Sequence, residues 1–342
     1  MIGNIDTTVE YDVVFAYHFP TIDYLLKRGL RCRKMVLGSL SPIELLESFS
    51  VFCNNASLLV VMSETTKDIH NLNYDISMEK MVVLENCIPD KFVDYQVDRV
   101  LSEMVPKKIA VVSNHIPQEV WDMRDYLPND VEVTYFGSGT EGYQEITPQL
   151  LAEYDVVVTI GKTVQYSMGL GIPVFEYDRF GGNGYIHAQN MEFEAITNFT
   201  GRNVMRKLSA KELAEEIVVE YPRIKKQTYI LRKLAIEKFL LSKRIDNLMN
   251  VIANSPDFDY DFSKIEYNEK LDFAHGEAFC NWTGALKSEN YNLKHLLSET
   301  EKQKLLLENN IKELNALVFA IQNTEGYRLL EFLRRVKRKL KF

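Results

Sequence analysis

The chain has 342 residues, and its 46% apolar and 26% charged content is that of an ordinary globular protein large enough for two domains and an extension. A net charge of −8 argues against a general nucleic-acid binder. The four cysteines lie far apart with no C-x-x-C pair, which suits reduced thiols in a cytosol and offers neither a zinc site nor a disulfide framework. Residues 1–12 carry no basic flank and no apolar stretch, so no signal peptide is expected. No apolar run approaches the length of a membrane span, and no internal repeat is evident.

The first strand signal covers residues 11–17 and runs into His18, Phe19 and Pro20. Helical spacing follows at Ile22, Leu25 and Leu26, then a strand over 34–37. Residues 42–56 read as a helix with Leu45, Leu46, Phe49 and Phe52 on one face. A buried strand over 58–62 ends at Ser63, a good helix N-cap, and a fourth strand follows over 80–84. Residues 85–89 then close this first half. The second half opens with a strand at 107–112 that ends in the small polar residues Ser113, Asn114 and His115. A helix over 116–127 and a strand over 131–136 come next, the latter ending in Gly137, Ser138 and Gly139. Thr147 and Pro148 start another helix as cap and first-turn proline.

The most informative stretch is 154–186. Val156 to Ile160 is an uninterrupted apolar run of the kind a buried parallel strand needs. Gly161 breaks it, and Lys162 and Thr163 begin a helix that lasts to Gly171. The first N–H groups of such a helix have no internal partner, so the turn is a ready anion site. A second strand over 174–177 leads to Glu176 and Asp178 at its end. The turn Phe180-Gly181-Gly182-Asn183-Gly184 then offers backbone that a ligand can approach closely. Residues 209–220 form a helix with Ser209 and Glu212 as a capping box, and 225–252 is strongly helical. Strand alternating with helix in this way is the signature of doubly wound parallel sheets.

The order G-x-T, short helix, G-I-P-V, acidic strand end and GG-x-G turn resembles the donor-binding half of GT-B glycosyltransferases. The resemblance is clear over 107–220 and fainter over 11–100. It implies two Rossmann-like domains: a shortened acceptor-side domain over 1–104 and a nucleotide-sugar domain over 105–254. An acidic, aromatic linker over 255–285 and a helical extension over 286–342 complete the chain. Retaining members of the superfamily have two glutamates eight positions apart, and here those positions hold Val158 and Tyr166. The donor-site residues implied are Gly137, Ser138, Gly139, Gly161, Lys162, Thr163, Tyr166, Gly181, Gly182, Asn183 and Arg202. Glu176 and Asp178 are the nearest acids for ribose or sugar hydroxyls, and His18 is the candidate base for the acceptor hydroxyl. No Asp-x-Asp stands in a donor-site context, so the transfer is expected to need neither metal nor cofactor beyond the nucleotide-sugar. The implied function is sugar transfer to a glycan or lipid-linked acceptor in bacterial surface polysaccharide synthesis. A non-catalytic subunit that supports a partner transferase, or a nucleotide-sugar epimerase, are the alternatives.

His275 and Cys280 in the linker are two potential metal ligands without the others a site requires. From Leu286 the apolar period becomes seven, through Leu293, Thr300, Leu307, Leu314 and Ile321, with Leu296 and Leu317 on the companion seam. That coiled-coil pattern suits a homodimer or a partner transferase. The last stretch, 328–342, holds seven Lys or Arg against one Glu, a local charge of +6 that leaves −8 − 6 = −14 on the rest. Leu329, Leu333, Val336 and Leu340 form one helical stripe beside Phe332. A basic, amphipathic end of this kind reads as peripheral attachment to an anionic membrane, on the inner face of the cell membrane.

Overall fold

The computed structural model describes residues 5–339 apart from 51, 96, 98–103, 139, 141, 143 and 260–266. The described chain forms two compact units, 1–273 and 274–342.

The first unit contains two parallel sheets. Strands β1 (Glu10–Tyr17), β2 (Arg31–Ser39), β3 (Leu58–Val61) and β4 (Met81–Val83) pair in sequence order, all parallel. Helices α1 (Phe19–Lys27) and α2 (Glu64–Tyr74) connect them. Right-handed crossovers in a sheet of this order fall on a single face. Ile22, Leu25, Leu26, Met35, Leu37, Leu59 and Val61 form the core there. The alternate residues Val36, Leu58 and Val60 face the other way, because successive strand side chains point to opposite sides. That second face is covered from far along the chain. Helix α10 (Leu241–Asn254), in the stretch expected to belong to the second domain, lays Leu248 and Ile252 on it.

The expected helix over 42–56 is instead a short 3-10 turn, Leu45–Glu47, followed by further turns. Side-chain bonds to neighbouring elements outweigh helical spacing here. Glu47 is held by His18 and the Leu40 N–H, and Ser50 Oγ donates to Asp23 on α1 at 2.6 Å.

After β4 the chain crosses over through α3 (Asp90–Asp94). The second sheet has the order β6-β5-β7-β8-β9. Strands β5 (Lys108–Val112), β6 (Glu132–Phe136), β7 (Val156–Thr159) and β8 (Val174–Asp178) are parallel. Helices α4 (Gln118–Asp122), α5 (Pro148–Ala152) and α6 (Lys162–Leu170) link them, and a 3-10 turn at Met123–Tyr126 replaces the second half of the helix expected up to 127. The order reverses between β5 and β7, the kind of switch point where open α/β sheets bind ligands. The glycine-rich stretch expected to be a turn is β9 (Gly181–Tyr185), antiparallel to β8 along the sheet edge.

Helix α7 (Met191–Ala195) precedes α8 (Ala210–Lys225), whose capping box forms as the sequence indicates. α8 covers one face of the sheet through Leu213, Ala214 and Ile217, and α9 (Thr228–Phe239) lies against α6 on the other through Leu231 and Ala235. The expected long helix breaks at Leu240, which is extended (φ −60°, ψ 124°). There the chain pairs with the outgoing crossover. Ile88 N–H donates to Phe239 O at 2.8 Å, and Leu241 N–H donates to Ile88 O at 2.9 Å. The outgoing and returning passages between the two sheets are thus bonded to each other.

The second unit holds α11 (Tyr267–Gln322) from residue 274 onward and α12 (Glu325–Lys339). Helix α11 begins inside the stretch expected to be an irregular linker. Leu286, Leu293, Leu307 and Leu314 are all exposed along it. The side chains of His275 and Cys280 lie outside the described ones. Among the described residues no helix is long and apolar enough to cross a membrane.

Candidate functional site

Strand β7 is apolar on both faces, so it lies in the middle of the sheet and delivers Gly161 to its carboxyl edge. Gly161 takes φ 64° and ψ −141°, a conformation a side chain would oppose, and its N–H donates to Phe199 O at 2.6 Å. Helix α6 starts immediately, so its first N–H groups face out of the sheet edge without helical acceptors.

Beside that turn lies a cavity of about 710 Å³ at the carboxyl ends of β5 to β8. Its floor is Val112, Thr159 and Ile160, and its sides include Lys162, Thr163, Tyr166, Gly137 and Asp178. These five expected site residues, four from the donor-site set and the acid Asp178, come from three separate stretches of the sequence that the fold brings together. Ser113, Asn114 and His115, at the end of β5, line it as well. Their small polar character was visible in the sequence, but nothing local ties them to Gly161. The crossover contributes Lys91 and Phe92. Phe92 stacks on Tyr166 with ring centroids 4.3 Å apart, and Lys91 pairs with Glu145 across the mouth at 3.3 Å.

The polar groups of the cavity hold each other. Ser113 Oγ donates to Asp178 Oδ2 at 3.1 Å, and Arg179 N–H donates to Oδ1 at 2.7 Å. Burial pushes the Asp178 carboxyl above its ordinary pKa, against the pull of these two bonds. Asn114 Oδ1 accepts from the N–H of Ser138 at 2.9 Å and from its hydroxyl at 3.2 Å, binding the ends of β5 and β6 together. Gly137 allows that closeness, since a Cβ there would collide with Ser113 O.

Other expected site residues are elsewhere. Gly139 lies outside the described residues. Gly181 and Gly182 face protein backbone: a Cβ would meet Arg206 O at the first and Glu176 O at the second. Asn183 donates to Glu194 Oε1 at 2.7 Å, and Arg202 lies over the Phe180 ring at 4.3 Å. None of the four lines the cavity. Nor does Glu176, whose side chain is fully buried. Its Oε1 accepts from the Gly201 N–H at 3.0 Å, while its Oε2 meets no donor. The Glu194 carboxyl stands beside it, so burial and this second acid raise the Glu176 pKa to about 8. Through Gly201 the pair supports the loop that carries Phe199 and so the Gly161 turn.

His18 closes β1 on the first sheet with φ 66°, a left-handed conformation rarely adopted by a histidine. Its Nε2 lies 2.9 Å from Oε1 of the buried Glu47, whose Oε2 accepts from Leu40 N–H at 2.7 Å. The ring is half exposed. It is therefore an imidazole oriented by a fixed carboxylate, which the sequence did not reveal because Glu47 lies in an apparent helix. His18 does not line the cavity. The neighbouring Tyr17 and the cavity residue Tyr166 are both within electrostatic reach of Cys87, on the crossover between the sheets. Among the described residues no three His, Cys, Asp or Glu side chains converge as a metal site would require.

No family model and no curated protein sequence matches the chain. Solved structures similar to it include a glycosyltransferase from Rickettsia africae, at 14% identity and a TM-score of 0.48, over 70% of this chain and 76% of that one. Staphylococcus aureus TarM, in complex with fondaparinux, a GlcNAc-glycerol and UDP, is similar at 14% identity and a TM-score of 0.38 over 68% of this chain. A structure of accessory secretory proteins 1, 2 and 3 from Streptococcus pneumoniae is similar at 12% identity and a TM-score of 0.35, again over 68% of this chain. The chain spans 54% and 56% of the latter two.

Proposed function

We propose that this chain transfers a sugar from a nucleotide-sugar to a glycan or lipid-linked acceptor, without a metal ion. The observation that carries the reading is the cavity at the β5/β7 switch point, with the first turn of α6 on its wall. Such a turn suits a diphosphate: backbone N–H groups, the Thr163 hydroxyl and the Lys162 ammonium all favour negative charge there. The Gly137, Ser138 and Asn114 edge suits the nucleoside, and Asp178 accepts from a ribose or sugar hydroxyl.

In the transfer, His18 is the proposed base for the proton of the acceptor hydroxyl, acting from the end of the first sheet and not from the cavity lining. Its Nε2 is engaged with Glu47, which leaves Nδ1 for that proton and stabilises the imidazolium that results. The acceptor oxygen bonds to the anomeric carbon while the bond from that carbon to the diphosphate breaks. Lys162 and the α6 N-terminus hold the charge that the departing nucleoside diphosphate gains.

A helper role is the second reading, favoured by the exposed leucines of α11 and by Glu176 being turned into the core. Under it the α11 seam pairs with a partner transferase or a second copy. One assay separates the two: incubation of the purified chain with donor and a lipid-linked acceptor. Nucleoside diphosphate released by the chain alone supports the transferase, and release only after a second protein is added supports the helper.

A further inference from the structure

We propose that α12 is an interfacial anchor that lies on an anionic lipid surface. The inference does not depend on what the cavity binds. Helix α12 starts independently of α11, after the break at Asn323 and Thr324. Thr324 Oγ1 accepts from Tyr327 N–H at 3.3 Å and Thr324 O from Arg328 N–H at 3.1 Å, as at a capped helix start. A helix of 15 residues extends about 22 Å. That is too short to span a bilayer and sufficient to lie along one.

Its two sides differ in kind. Leu329, Phe332 and Leu333 fall within one third of the helix circumference and are 56–61% exposed, with Leu330 at its border. The sequence continues that stripe at positions 336 and 340. The remaining circumference carries the basic residues, and the one acid after Arg328, Glu331, is already paired to Arg334 at 3.2 Å. From 328 to the end the charge is +6, against −14 on the rest of the chain.

These features select the occupant. A second copy of α12 would bring two sets of six positive charges together. A nucleic acid would satisfy the charges but leave the leucine and phenylalanine stripe in water. A surface that is anionic at its face and apolar just beneath satisfies both sides at once. The acidic body is repelled by the same surface, so attachment is confined to the tail and the two parts of the molecule are electrostatically opposed.

Sedimentation of the full-length chain with vesicles tests the proposal, using phosphatidylcholine alone and phosphatidylcholine mixed with phosphatidylglycerol. The chain should pellet with the mixed vesicles, not with the neutral ones. Raising salt well above physiological strength should release it at least tenfold, because the charges are at the exposed surface where screening acts. Replacing both Leu329 and Leu333 with Gln keeps every charge and should lower binding at least tenfold by removing apolar burial. Unchanged thermal unfolding of that variant would show that its body is intact. Equal pelleting of parent and variant would overturn the proposal, as would equal binding to neutral vesicles. Binding that ignores the leucines and is competed away by polyuridylate would identify the tail as a nucleic-acid tether instead.

Discussion

Thr163 is the residue on which the proposed donor site depends most directly. It stands at the second position of α6, on the cavity wall, and under the proposed function its hydroxyl donates to a phosphate oxygen. Thr163→Val keeps the shape and removes that donor, so nucleoside diphosphate affinity measured by titration calorimetry should fall by about 1–3 kcal/mol. His18 and Glu47 act as a pair. His18→Ala should lower turnover at least about tenfold, and Glu47→Gln should lower it with little change in donor affinity, since Glu47 bonds the imidazole and the Leu40 N–H and does not line the cavity. Glu176 gives a prediction of a different kind. Its folded pKa of about 8 lies above the ordinary 4.5, so the protonated form favours the folded state. That stability is fully present below pH 4.5 and is lost as pH rises through 8. His70, pushed down to about 4 by burial, contributes the opposite trend, losing stability as pH falls below its ordinary 6.5. Denaturant unfolding at pH 6 and pH 9 should therefore show the wild type losing roughly 2–4 kcal/mol that Glu176→Gln does not lose. The sequence shows Thr163 and Glu176 equally plainly. It cannot show that one side chain enters the cavity while the other, two residues before Asp178 on the same strand, is sealed against Glu194.

At the level of elements, strong periodicity was legible and close packing was not. β5, β7, α6 and the Ser209 capping box follow from apolar runs, glycine breaks and cap residues. The helix expected over 42–56 fails because its polar side chains are bonded to His18, to Asp23 on α1 and to the Leu40 N–H just after β2. β9 was read as a ligand-facing turn because glycines that admit a ligand and glycines that admit neighbouring backbone are the same letters. Gly182→Ala distinguishes the two. Its Cβ would strike Glu176 O, which cannot rotate away, so the variant should lose about 1–3 kcal/mol in chemical denaturation. Helix α10 is another case, since no local signal shows that residues 241–254 cover the first sheet. Leu248→Ala leaves a cavity against Val36 and Val60 and should cost about 2–5 kcal/mol.

For the whole molecule, the second face of the first sheet is covered by α10, a helix that follows the second sheet in the chain. The bonded passages at Ile88 and Leu240 make the two sheets a single unit with the cavity against its crossover. The sequence resemblance to GT-B glycosyltransferases is clear over the second half of the chain, and there the cavity lies at the switch point between β5 and β7, which the strand order alone reveals. What the sequence left out are long-range partners: Phe92 on Tyr166, Lys91 on Glu145, Glu47 on His18. The central claim is that this cavity binds a nucleoside diphosphate through the α6 turn. Titration calorimetry of the purified chain with UDP, GDP and dTDP tests it most directly. Saturable binding of one of them, weakened by Thr163→Val and indifferent to Arg202→Ala, is the predicted result. No binding of any of the three, or binding that Thr163→Val leaves unchanged, would contradict it.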